Sequence, residues 1–191
     1  MEDLIKYLKQ SIPVSNEAEG FIASISTQIN CVKGEVIMRE GQTVDKIYFV
    51  VNGCLRSYCT NKNGKEHTLQ FAIKNWWISD YAAIITGNSS PLTVECLKDS
   101  QLIEINVSDM EKLRMNYLEF ESIQRKSTEA HLVSLQERIL SQLQLSASER
   151  YDMFLKKYPN IEQFTRNYHI ASYLGITQES LSRIRVEKAD N

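Results

Sequence analysis

Four polar residues near the C-terminus stand at helical spacing: Gln178, Glu179, Ser182 and Arg183. Glu179, Ser182 and Arg183 occupy i, i+3 and i+4, so one face of a helix carries all three. These are side chains suited to reading base edges. Arg183 can make two parallel hydrogen bonds to guanine. Gln178 can pair with adenine, and Glu179 can accept from the amino group of cytosine. Ser182 is short enough to allow close approach. Arg166, Asn167, Thr177, Arg185 and Lys188 flank this set and suit phosphate oxygens. Between residues 165 and 188, four cations (Arg166, Arg183, Arg185, Lys188) face two anions (Glu179, Glu187), a local balance of +2. The whole chain of 191 residues has 22 Lys+Arg against 24 Asp+Glu, a net charge of −2. A generally basic nucleic-acid coat is thereby excluded, and any positive surface must be local.

The elements that must position these residues are legible around them. Thr165 is predicted to cap a helix of about nine residues. Ile170 and Leu174 share one face of it, and Ala171 is small where two helices can cross. Gly175 supplies the positive φ that ends the helix. Thr177 is predicted to cap a second helix, in which Leu181 and Ile184 turn inward to meet Ile170 and Leu174. This is helix-turn-helix geometry, in which the second helix enters the major groove. A helix, a glycine turn and another amphipathic helix occur in many folds, and Glu179 alone is ordinary dipole stabilisation. The outward Gln-Glu-x-x-Ser-Arg set distinguishes this stretch.

Upstream, residues 1–30 place apolar side chains at helical spacing, predicting two short helices separated near Pro13. The texture changes at residue 31. From 32 to 106, short apolar runs alternate with Lys33-Gly34, Glu40-Gly41, Asn52-Gly53 and Asn63-Gly64. Strands are predicted around 36–38, 47–51, 55–58, 67–71, 94–97 and 101–105, with a hairpin at Asn63-Gly64. Regular short strands of this kind predict an antiparallel roll. Ser108-x-x-Glu111 reads as a capping box. From Leu118 to Leu143 there is neither Gly nor Pro, which predicts a helix of roughly 25 residues, about 38 Å long. Leu132, Leu135, Ile139 and Leu143 form part of an apolar stripe wider than one partner surface requires. One edge is expected on the roll and the other on a second copy of the helix. Ser146-x-x-Glu149 is a second capping box, so Leu145-Ser146 is a joint. The expected division is a roll with N-terminal helices over 1–117, a long dimerisation helix over 118–144 and a helix-turn-helix domain over 145–191, an α+β fold.

Two stretches resemble the Crp/Fnr superfamily of bacterial transcription regulators. IASYLGITQESLSRIR is similar to its helix-turn-helix, and Lys33-Gly34-Glu35, Glu40-Gly41, Ile47-Tyr48-Phe49-Val50 and Asn52-Gly53 resemble its cyclic-nucleotide-binding-like jelly roll. The resemblance covers nearly the whole chain. It implies a homodimer joined along the long helix, with Glu179, Ser182 and Arg183 reading a palindromic operator in double-stranded DNA. It also implies RNA polymerase and a small-molecule effector as partners. Nucleotide-binding members carry a Phe-Gly-Glu turn followed by an arginine. Here Ser79 and Asp80 stand for the Gly and Glu, and the arginine's place falls in a stretch containing Ser90 and Pro91. No cation lies between Lys74 and Lys98. Burying a phosphate without one is costly, so cyclic AMP is not the expected ligand. Trp76 and Trp77 beside Tyr81 can line an apolar effector pocket, although such aromatics are more often plain core.

No cofactor is expected. The cysteines, Cys31, Cys54, Cys59 and Cys96, have no metal-knuckle spacing and none lies in residues 1–30, where the iron–sulfur members carry theirs. They are expected as buried, reduced thiols. His67 is the one histidine of the roll, too few for a cupin-like metal enzyme, so the protein is not expected to be an enzyme. A sensor or interaction module with a weakened helix-turn-helix is the remaining alternative. No apolar run reaches membrane-spanning length, and the acidic start Met1-Glu2-Asp3-Leu4 lacks secretory features, so a cytoplasmic protein is expected.

Overall fold

A computed structural model describes residues 1–189. Helices α1 (Glu2–Lys9) and α2 (Asn16–Ile25) open the chain, the second capped by the Ser15 hydroxyl, which accepts from the Ala18 amide. Eight strands follow: β1 (Ser26–Cys31), β2 (Val36–Met38), β3 (Lys46–Asn52), β4 (Cys54–Thr60), β5 (Glu66–Ile73), β6 (Trp77–Ile78), β7 (Thr93–Cys96) and β8 (Ser100–Asn106). Helix α3 (Tyr81–Thr86) lies between β6 and β7. Then come α4 (Val107–Asn116), α5 (Glu119–Gln144), α6 (Ala147–Lys157), a 3-10 turn (Ile161–Gln163), α7 (Asn167–Leu174) and α8 (Gln178–Ala189). The class is α+β, as the sequence predicts.

The strands form two antiparallel sheets, ordered β1-β8-β3-β6 and β2-β7-β4-β5. Side chains alternate along β3 with period two. Tyr48 and Val50 face the roll interior with Leu55, Ala72, Val94 and Leu102. Ile47, Phe49 and Val51 face outward and take Leu4, Leu8 and Ile22 of the N-terminal helices. Gly53 carries the chain from one sheet to the other at φ +130°. A Cβ there would lie 2.8 Å from the Ser100 Cα, so only glycine fits.

Three expectations shift. Residues 26–31 form a strand, although Ile25 and Ile29 fit a helical stripe. The strand pairs with β8 from Ser26↔Ile105 to Cys31↔Ser100, and this ladder overrides local periodicity. Ser108 is not a cap. Helix α4 starts after Asn106, because the Asp45 carbonyl takes the Val107 amide and turns the chain two residues sooner. Thr165 is not a cap either. Its side chain is buried, its amide closes the 3-10 turn on the Ile161 carbonyl, and Arg166 takes the cap position of α7 without a side-chain hydrogen bond.

Candidate nucleic-acid interface

The C-terminal unit is assembled from short-range signals. Ser146 and Glu149 form a reciprocal capping box that starts α6. Gly175 ends α7 at φ +70°, and the Ile176 amide returns to the Ala171 carbonyl at 3.0 Å. The Thr177 hydroxyl accepts from the Ser180 amide at 3.2 Å and starts α8. Leu181 and Ile184 are buried with Ile170 and Leu174, which locks the inner face of α8. Gln178, Glu179, Ser182 and Arg183 are all exposed on the other side. The Glu179 carboxyl is held below its ordinary range by hydrogen bonds from its own amide and from Thr177. It is therefore ionised at neutral pH and acts only as an acceptor.

The five phosphate candidates divide. Arg166 and Thr177 are exposed. Arg185 is taken up internally, by Glu162 at 2.5 Å, the Tyr151 hydroxyl at 3.0 Å and the Asn167 Oδ1 at 2.5 Å. Asn167 is thus its partner. Lys188 pairs with Asp152 at 2.7 Å. An exposed pair such as Lys188–Asp152 is worth at most about 1 kcal/mol and exchanges readily. The three bonds to Arg185 brace α8 against α6 and α7. Arg166 and Arg183 are the cations of this segment without an ion pair among the described residues.

The unit is docked on the roll. Strand β5 is an edge strand, and such edges need their backbone groups covered. Helix α7 supplies the cover. The Tyr168 hydroxyl accepts from the Glu66 amide at 3.0 Å. The Ser172 hydroxyl accepts from the Thr68 amide and donates to the Glu66 carbonyl, both at 2.8 Å. Beside this edge Phe71 meets Phe154, Tyr158 and Tyr173 at ring distances of 5.4–5.8 Å. From α5, Arg138 donates to the carbonyls of Thr68, Leu69 and Tyr173, and Gln142 donates to that of Leu174.

Arg56 is buried near the docked helix, bridging Glu66 and Glu95 at 2.5 Å each. Sequence reasoning missed it. Glu95 stands opposite it in the β4–β7 ladder, and only the register brings them together. His169 on α7 is also buried, and its pKa is pushed down to about 4, by burial first and then by the Arg56 charge; Glu66 opposes this shift and Arg166 adds to it. The folded imidazole is neutral, whereas an unfolded one titrates near 6.5. The unfolded chain therefore binds more protons between these values, and stability is lost as pH falls from about 6.5 towards 4. The thermal midpoint should fall more steeply across that window in the wild type than in His169→Leu. Parallel slopes would exclude His169 as the cause.

On α5, the edge opposite this anchor is bare. Leu132, Ile139 and Leu143 are 64%, 61% and 77% exposed, with Val133 and Leu140 beside them and Leu135 half-buried. The second edge of the stripe finds no cover among the described residues.

The region of the expected nucleotide cassette is closed on itself. Asp80 caps α3 through Oδ1, which accepts from the Ala83 amide at 3.1 Å, and its Oδ2 accepts from the Ser90 hydroxyl at 2.7 Å. Ser79 donates to the Lys46 carbonyl at 2.8 Å. Ser79, Asp80 and Ser90 are buried, while Pro91 is exposed. Trp76, Trp77 and Tyr81 line a groove of about 1070 Å³ between the roll and α5, shared with His131, Arg138 and Lys157. All four cysteines are free thiols; Cys59 is half-buried, and burial raises Cys54 and Cys96 to about 12. Among the described residues, no three His, Cys, Asp or Glu converge to hold a metal ion. Among them, too, no helix is long and apolar enough to cross a membrane.

Residues 28–117 match the cyclic nucleotide-binding domain family. Over 170 residues the chain is 27% identical to the anaerobic regulatory protein of Haemophilus influenzae. That match covers 80% of this chain and 63% of the relative, less than two thirds of its length. Among solved structures, FixK2 from Bradyrhizobium japonicum is similar at a TM-score of 0.73 and 22% identity, over 85% of this chain and 84% of that one. A transcriptional regulator of the crp/fnr family from Eubacterium rectale is similar at 0.72 and 18% identity, over 93% and 85%. Residues 28–117 thus match the cyclic nucleotide-binding domain family, and over 93% of its length the chain shares its fold with that solved regulator of the crp/fnr family.

Proposed function

We propose that the protein is a dimeric, sequence-specific DNA-binding transcription regulator whose roll does not take cyclic AMP. One observation carries the reading: Gln178, Glu179, Ser182 and Arg183 are exposed on a helix whose opposite face is locked by Leu181 and Ile184. Arg183 reads a guanine, with Gln178 and Glu179 reading neighbouring pairs. Arg166, Thr177 and, once freed from Asp152, Lys188 meet phosphates. The bare stripe of α5 joins two copies, so two recognition helices meet half-sites one turn of DNA apart, roughly 34–36 Å. In the roll, Asp80 and Ser90 satisfy each other, and the stretch between Lys74 and Lys98 that carries them offers a cyclic phosphate no cation. An effector of another kind, seated in the groove beside Trp76 and Trp77, would shift the packing of α5 and pivot the joint at Leu145-Ser146.

Selection of binding sites from random duplexes by the purified full-length chain tests this reading. The expected product is an inverted repeat, identical with and without cyclic AMP. Arg183→Ala should weaken binding to it by about 1–3 kcal/mol and relax the preference at one position per half-site. An unenriched pool would refute the regulator assignment, and enrichment that depends on cyclic AMP would refute the reading of the roll.

A further inference from the structure

Val186 shares the outward face of α8, and neither the packing nor helix propensity explains it. It stands seven residues after Glu179, four after Ser182 and three after Arg183. At 100° per residue it points within about 20° of Glu179, between the directions of Ser182 and Arg183. It is 61% exposed, and the apolar contacts of α8 are made by Leu181 and Ile184 on the other side. A β-branched residue on an open helix face gains nothing from burial and is a mediocre helix former. Its isopropyl group therefore sits bare in the middle of a surface otherwise made of hydrogen-bonding groups.

We propose that Val186 contacts the 5-methyl group of a thymine in each half-site and so sets specificity at that position. The proposal rests on the DNA-reading role of α8 and adds one position to it. In the major groove, thymine alone among the four bases presents an apolar group. The amino group of cytosine or the acceptors of guanine would lose hydration against the isopropyl group without gaining a partner. Val186 lies about 10 Å along the helix axis from Glu179, at 1.5 Å per residue. The thymine should thus lie about three base steps from the pair that Glu179 meets.

The test uses the full-length protein and the inverted repeat obtained by selection. Each thymine of the half-site is replaced in turn, in both halves, by deoxyuridine, which removes the methyl group alone. At one position the wild type should lose about fourfold in affinity per half-site, the worth of one buried methyl group. Val186→Ala should bind the thymine and deoxyuridine forms of that position equally and keep its preferences elsewhere. Its thermal midpoint should be no lower than that of the wild type, because Val186 belongs to no core cluster and alanine is the better helix former. If Val186→Ala weakens all duplexes alike, or changes nothing, residue 186 touches the sugar-phosphate backbone or no DNA at all, and the inference fails while the regulator reading stands. If no duplex is enriched in the first place, both fail together.

Discussion

Leu132→Glu combined with Ile139→Glu should turn the protein into a monomer, readable by sedimentation. Both side chains lie on the bare edge of α5, while Arg138 and Gln142 tie the opposite edge to the backbone of β5 and α7. Leu132, Leu135, Ile139 and Leu143 follow at intervals of three, four and four, so they keep one line along the helix. Burying one such side chain is worth about 1.5–3 kcal/mol, and a twofold contact buries each of them twice. A glutamate there must instead give up its hydration against leucine. Because two linked half-sites bind as one ligand, affinity for the inverted repeat should fall by about 10²–10⁴, with affinity for a lone half-site unchanged. The variant's thermal midpoint should also lose its dependence on protein concentration. A double variant that sediments like the wild type would remove α5 as the dimer axis.

Phe71→Ala should detach the helix-turn-helix unit from the roll. Phe71 is fully buried on the outer face of β5 and touches rings from α6 and α7 and the Tyr158 ring that follows α6. Truncating a buried phenylalanine costs about 3–5 kcal/mol. In a chain of this size each kcal/mol moves the midpoint by about 2–4 °C, so a fall of about 6–20 °C is expected. The loss concentrates at one interface, so the melting curve should split into a roll transition and an earlier one for the C-terminal unit. A single transition within about 2 °C of the wild type would show that Phe71 does not hold the two together in solution.

Much of the candidate interface was legible because its signals are local. Leu181 and Ile184 reveal the buried face of α8 by spacing alone, and the exposed set follows from the same period. Ser146 and Glu149 reveal the start of α6 because their bonds span three residues. Errors arose where a distant partner outranked a near one. The Asp45 carbonyl moved the start of α4 away from Ser108, and strand β8 drew residues 26–31 out of a helical pattern. Arg185 looked like a phosphate contact, since its cation is plain and its partners Tyr151, Glu162 and Asn167 are not.

The residues alone decided which face of each helix is apolar, where Gly175 turns the chain and which side chains α8 presents. Those features depend on contacts at fixed, short offsets, which any reader of the sequence can count. Folding in three dimensions decided the rest. It left Arg166 and Arg183 without ion pairs among the described residues, placed Arg56 between two glutamates and covered the edge of β5 with the hydroxyls of Tyr168 and Ser172. Such contacts join positions up to about a hundred residues apart, and no periodicity records them, because strand register and helix docking are set by the burial of whole faces.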